Sequence, residues 1–171
     1  MTNHLDYIES LEHEVRLSEG LRRYVALHPV LGHYCGYAVL RQRPTLEPGY
    51  DGILTYVPVH GGITYAEELA DGRMIYGFDC AHANDELNPQ YQDVEWLFAE
   101  IDRMVTGVQL AAEYEPDYLA APDASARAVI LDRYHSALSL KGITFDLSDN
   151  FGAMIQRLFG ELTEAEGNNA S

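Results

Sequence analysis

Asn88-Pro89 divides the chain into two hydrophobic regimes, and this division constrains the fold more than any other feature. From Tyr34 to Phe78 the apolar residues come in short aromatic and β-branched blocks closed by Gly and Pro, the signature of strands and turns. Tyr34–Gln42 predicts a strand that stops at Arg43-Pro44, and Pro44, Pro48, Gly49 and Gly52 mark a loop. Ile53–Val59 reads as a second extended segment, with Pro58 at an edge or a strand end, and Gly61-Gly62 as the next turn. Ile63-Thr64-Tyr65 starts another short strand before the acidic Ala66–Gly72 connection, and Arg73–Phe78 reads as a buried strand. Beyond Pro89 the period becomes helical. Val94, Leu97, Phe98, Ile101, Val105 and Val108 recur at three- and four-residue intervals, predicting one long amphipathic helix from Pro89 to near Glu113. A second helix is expected after the Asp123 cap, with Ala126, Val129, Ile130, Ala137 and Leu138 inward and an end at Lys141-Gly142. A third is expected over Ser148–Gly160.

Upstream, Leu5, Ile8, Leu11 and Val15, then Leu21, Tyr24 and Val25, approximate helical spacing broken near Ser18-Glu19-Gly20 and predict one or two short helices. Glu161–Ser171 is small, polar and acidic, and reads as a frayed tail. The expected architecture is a single α+β domain over residues 1–160. A small, mostly antiparallel sheet packs in it with the long helix and further C-terminal helices.

Charge narrows the function. Eleven basic against 27 acidic side chains leave a net −16, and the basic residues are scattered, which argues against duplex nucleic acid as a partner. With 47% apolar residues the chain can bury a core. The sequence lacks an uninterrupted apolar run of about 18 residues and a signal-peptide pattern, so a cytoplasmic protein without membrane association is expected. Cys35 and Cys80 do not form a CxxC pair and read as reduced, buried thiols.

Two segments place polar residues beside glycines at predicted strand ends: Val59-His60-Gly61-Gly62-Ile63-Thr64-Tyr65 and Gly77-Phe78-Asp79-Cys80-Ala81-His82-Ala83-Asn84-Asp85. Asp79, His82 and Asp85 are spaced by three, so on a helical turn they project from one face. With His60 from the neighbouring segment they make a four-ligand set suited to a divalent metal ion. The plainer alternative gives each residue a local role, in which Asp79 caps a turn, His82 donates to a backbone carbonyl and Asn84-Asp85 forms a turn. Gly61-Gly62 lacks the lysine and glycine spacing of a Walker loop. Asp79 beside Cys80 raises the thiol pKa, which disfavours a nucleophilic thiolate.

The ordered blocks Cys35-Gly36-Tyr37, Gly49-Tyr50-Asp51, Val59–Tyr65, Gly77–His82 with Asp85, Tyr91-Gln92-Asp93-Val94 and Glu100 resemble a family of small proteins encoded by bacteriophages and prophages. The resemblance rests on its VHGG(I/L)TY and GFDCAH..D blocks and covers Gly32 to Leu110. It implies a phage context, hence the cytoplasm of an infected bacterial host, and a candidate pocket rather than a reaction. Where such proteins often carry a serine after the Thr-Tyr pair, this chain has Ala66-Glu67, so a hydroxyl role there does not carry over.

Three functions fit these residues. The first is capture of a nucleotide-type signal of bacterial antiviral defence, by sequestration. In it His60, Gly61, Gly62, Thr64, Tyr65, Phe78, Asp79, His82 and Asp85 line the site, and Tyr37, Tyr56, Tyr65, Tyr76 and Phe78 supply stacking surfaces. The second is a phosphoester hydrolase acting on a nucleotide with a metal on His60, Asp79, His82 and Asp85. The third is an acidic inhibitor that occupies a basic host protein. Homo-oligomerisation is left open.

Overall fold

A computed structural model describes residues 4–18, 20–41, 52–82 and 85–145. The expected third helix, the tail and the Gly49-Tyr50-Asp51 block lie outside these residues, as do Ala83 and Asn84. Helix α1 (His4–Leu11) leads into strands β1 (Glu12–Ser18), β2 (Leu21–Leu27) and β3 (Tyr34–Leu40), followed by β4 (Tyr65–Glu68), β5 (Met74–Asp79) and helices α2 (Val94–Ala120) and α3 (Ala124–Leu140). All neighbouring strands pair antiparallel, in the order β1-β2-β3-β5-β4, so the expected α+β architecture holds.

Side chains alternate across the sheet and build two cores. On one face Val25, Ala38, Leu40, Tyr76 and Phe78 pack under the α2 stripe of Leu97, Ile101, Met104, Val108 and Ala111. On the other, Tyr24, Val39 and Ile75 pack with Ile8 of α1 and Leu69. Gly36 lies in the first core, where a Cβ would fall on the Phe78 ring and 2.9 Å from Ile101 Cγ1. The helices α2 and α3 are joined by Tyr134, whose buried hydroxyl donates to the Gly107 carbonyl at 3.1 Å.

Four expectations need correction. The second N-terminal segment is a hairpin, not a helix: Val15 and Leu17 alternate with Glu14, Arg16 and Ser18, and Gly20 takes the positive φ of +81° in the turn. Arg16 points to α2, its guanidinium 3.9 Å above the Phe98 ring. The Ile53–Val59 segment is not a strand. It is a 3₁₀ turn over Ile53–Tyr56 followed by irregular chain, with Ile53, Leu54, Val57 and Val59 all buried. It runs beneath α2 at Gly107, where a Cβ would meet Pro58 Cδ and Val57 Cγ1 at 2.8 Å.

The third correction concerns the ends of elements. Residues of the acidic connection, Ala66 to Glu68, belong to β4. Asn88-Pro89 opens a separate 3₁₀ turn over Pro89–Gln92. It is Asp93, accepting from the Glu95 and Trp96 amides at 2.8 and 3.2 Å, that caps α2. That helix continues past Glu113 to Ala120 and contains Pro116. The fourth is Val129, which is 59% exposed, while the inward stripe of α3 is Ile130, Tyr134 and Leu138. The Asp123 cap, accepting from the Ala126 amide at 2.8 Å, and Gly142 at φ +76° stand as expected.

Candidate functional site

Buried Val59 delivers His60 into a tight turn closed by the Gly62 amide donating to the Val59 carbonyl at 2.9 Å. Gly61 and Gly62 have φ of +68° and +87°, a backbone that side chains with a Cβ rarely adopt. From the other side, β5 ends at Asp79 and the chain turns back through His82, with the Asp85 amide donating to the His82 carbonyl at 3.0 Å. These two turns meet on the α2 side of the sheet.

The His60 Nε2 and Asp85 Oδ2 atoms are hydrogen-bonded at 2.9 Å, and the His82 amide donates to the same oxygen, also at 2.9 Å. Asp85 is only 8% exposed, so both donors compensate the burial of its carboxylate. The His60 and His82 rings meet edge to face with centroids 5.2 Å apart. Among the described residues, His82 Nε2 is buried and has no hydrogen-bond partner. It occupies the space that a Cβ on residue 61 would fill, which makes Gly61 a requirement of the site in both conformation and volume. One donor atom from each of His60, His82 and Asp85 lies within 4.8 Å of the others.

A buried carboxylate on α2 anchors the first turn. Glu100, 4% exposed, accepts from the His60 amide at 3.0 Å and from Arg103 at 2.5 Å, while Arg103 also donates to the Thr144 carbonyl at 3.1 Å. The His60 ring packs on Tyr91, with centroids 4.3 Å apart, and on Trp96 at 5.8 Å. Tyr91 and Trp96 are themselves 5.0 Å apart. The imidazole is thus held by a carboxylate at one edge and by aromatic rings around it.

The other candidates go elsewhere. Asp79 alternates with Phe78 and belongs to the opposite face of the sheet, where it pairs in register with Cys35. Its Oδ1 accepts from the Ala81 amide at 3.1 Å, the capping role of the plainer alternative. It is absent from the three-donor group. Tyr65 also lies on that opposite face, edge to face with Tyr37 at 5.7 Å, and its hydroxyl donates to Glu67. Thr64 is exposed, its amide donating to the Gly77 carbonyl at 3.0 Å. Phe78 and Tyr76 are 1% and 0% exposed, so neither can stack on a ligand as expected. Burial pushes the Cys80 thiol pKa well up, with Asp85 adding to it, and pushes Cys35 to about 11; both are free thiols.

Sequence reasoning singled out neither Tyr91 nor Trp96 nor Glu100 as site residues. Glu100 carried a readable signal: it falls on the inward stripe of α2, three residues from Leu97 and four from Met104. A carboxylate there must be paired. Among the described residues no helix is long and apolar enough to cross a membrane. No protein-family model, curated protein or solved structure matches the chain.

Proposed function

We propose that this chain binds a small nucleotide-type ligand at the His60–Gly62 turn and the His82 turn, and holds it without turnover. In the phage setting implied by the sequence blocks, that is sequestration of a signal of antiviral defence in the infected host. The observation that carries the reading is the convergence of His60 and His82 from two separate turns beside Gly61-Gly62, with His82 Nε2 lacking a partner among the described residues. Imidazole N–H groups are donors that meet phosphate oxygens. The electrostatic objection to an anion in so acidic a chain is also weaker than composition implies. Asp79 faces away, Asp85 accepts two hydrogen bonds, and Glu100 is paired with Arg103.

Duplex nucleic acid is a poor alternative. Arg16, Arg22, Arg23, Arg73, Arg103 and Arg133 each pair with a carboxylate within the chain, so they are not gathered into a groove for phosphates. A second reading, phosphoester hydrolysis, is favoured by the three-donor group His60, His82 and Asp85, since a metal there would polarise a phosphoester and activate water. Calorimetric titration of the full chain with cyclic dinucleotides, ADP-ribose derivatives and a DNA duplex tests the proposal. Saturable binding of a nucleotide, with the ligand recovered intact by chromatography after long incubation, is expected. Tight duplex binding at physiological salt, or no nucleotide binding, rejects it, and conversion beyond stoichiometry replaces it with the hydrolase.

A further inference from the structure

We propose that His60, His82 and Asp85 bind one divalent ion of the borderline class typified by Zn²⁺, with an open coordination position, and that Gly61 is what lets His82 reach it. Two observations point the same way. The three donors lie within 4.8 Å of one another, and among the described residues the His82 ring has a buried nitrogen with no hydrogen-bond partner. Buried polar groups are rarely left so, and an ion bound by His82 gives that ring a partner. A tetrahedral ion with bonds of about 2.1 Å spaces its donors about 3.4 Å apart. The His60–Asp85 pair at 2.9 Å therefore opens slightly and His82 closes in, a side-chain adjustment of up to about 1.4 Å.

The donor set selects the metal. Two imidazoles with one carboxylate suit Zn²⁺, Co²⁺ and their neighbours, whereas Mg²⁺ and Ca²⁺ take sites built from oxygen. His60 Nε2 must offer the ion a lone pair, so the tautomer that binds the ion is the one with its hydrogen on Nδ1. The surroundings provide the support that such ligands need. The His82 amide bonds the Asp85 carboxylate, and Glu100, held by Arg103, fixes the His60 backbone. The fourth position has no protein donor among the described residues: Asp79 lies on the other face of the sheet, and Glu100 is engaged by the His60 amide and Arg103. A water or a phosphate oxygen completes the shell. Two neutral imidazoles, one carboxylate and a divalent ion leave a local charge of about +1, attractive to an anion. The inference rests on the nucleotide reading only for what occupies that fourth position, because uptake of the ion needs no nucleotide.

The probe is Co²⁺, added to tag-free, chelator-stripped full chain. Uptake is read by visible absorption and by quenching of Trp96, the single tryptophan, which lies 5.8 Å from the His60 ring. One equivalent of Co²⁺ should bind, develop tetrahedral bands and be displaced by Zn²⁺. Loss of a supporting partner commonly weakens metal binding by about 10–100-fold, so His82→Gln and Asp85→Asn, which remove ligands, should each weaken it by more than about 100-fold. Asp79→Asn should leave it unchanged. Lack of saturation at one equivalent overturns the site whether or not a variant folds. An undiminished affinity in His82→Gln, an equal loss in Asp79→Asn, or displacement of Co²⁺ by Mg²⁺ at similar concentration overturns it as well. Co²⁺ uptake by a chain that ignores nucleotides upholds the site and retires the nucleotide reading, whereas nucleotide binding without Co²⁺ uptake does the reverse.

Discussion

Replacing Gly61 by alanine should disrupt the site twice over, and the two costs are separable. Residue 61 has φ +68°, so any Cβ introduces left-handed strain of about 1–2 kcal/mol. The same Cβ falls on His82 Nε2 and must expel the ring from its contact with His60, an overpacking cost of about 1–3 kcal/mol. Gly61→Ala should therefore cost about 2–5 kcal/mol in total. Gly72 calibrates the first part: at φ +80° it has none of the described residues within 4 Å of its Cβ position, so Gly72→Ala should cost only the strain, about 1–2 kcal/mol. Urea unfolding of Gly61→Ala in the wild-type and His82→Ala backgrounds measures the second part, because removing the ring removes the clash. A drop in the Gly61→Ala cost to the Gly72→Ala value is expected when His82 is alanine. An equal cost in both backgrounds would refute the placement of His82 against this turn.

Three further outcomes follow from the geometry. Glu100→Ala leaves the His60 amide without its acceptor and Arg103 without its carboxylate partner and should destabilise the fold by about 2–4 kcal/mol in urea unfolding; a loss below about 1 kcal/mol would contradict the buried pairing. Burial holds the His135 pKa below its ordinary 6.5, and the same holds for His33. The unfolded chain therefore takes up protons first as pH falls. Stability is complete above about pH 6.5 and declines below it toward the folded-state pKa. His135→Gln should flatten this decline, and an unchanged slope would remove His135 as its source. Cys35 and Cys80 are buried with raised pKa values, so a thiol reagent at pH 8 should label native protein slowly and label both thiols at once in urea; fast native labelling would contradict their burial.

Much of the fold is legible in the sequence because two periods rarely conflict in this chain. Strands β3 and β5 and helix α3 with its Asp123 cap and Gly142 end are readable from pattern alone. The β1–β2 hairpin is not, since Ile8, Leu11 and Val15 also satisfy helical spacing and the choice is made by pairing along the sheet. Ile53–Val59 reads as a strand because an apolar run buried from several sides has no period to distinguish strand from irregular chain. The meeting of His60, His82 and Asp85 follows from the sequence, but the inclusion of Asp79 is an error of geometry. A spacing of three converges only on a helical turn, and Asp79 is still the last residue of a strand, where facing alternates from Phe78. The same alternation separates Tyr37 and Tyr65 from Tyr76 and Phe78, so the expected stacking group is split between two faces.

The most direct measurement is nucleotide affinity by calorimetry for His82→Ala beside Asp79→Ala, two substitutions close in sequence whose side chains belong to opposite faces of the sheet. If the ligand sits at the His60–His82 turns, His82→Ala in the metal-free chain removes a charge-assisted hydrogen bond, about 1.5–3 kcal/mol, and lowers affinity roughly 10- to 150-fold, while Asp79→Ala leaves it unchanged. Equal affinities in wild type and His82→Ala, or a loss confined to Asp79→Ala, would place the ligand elsewhere and contradict the assignment.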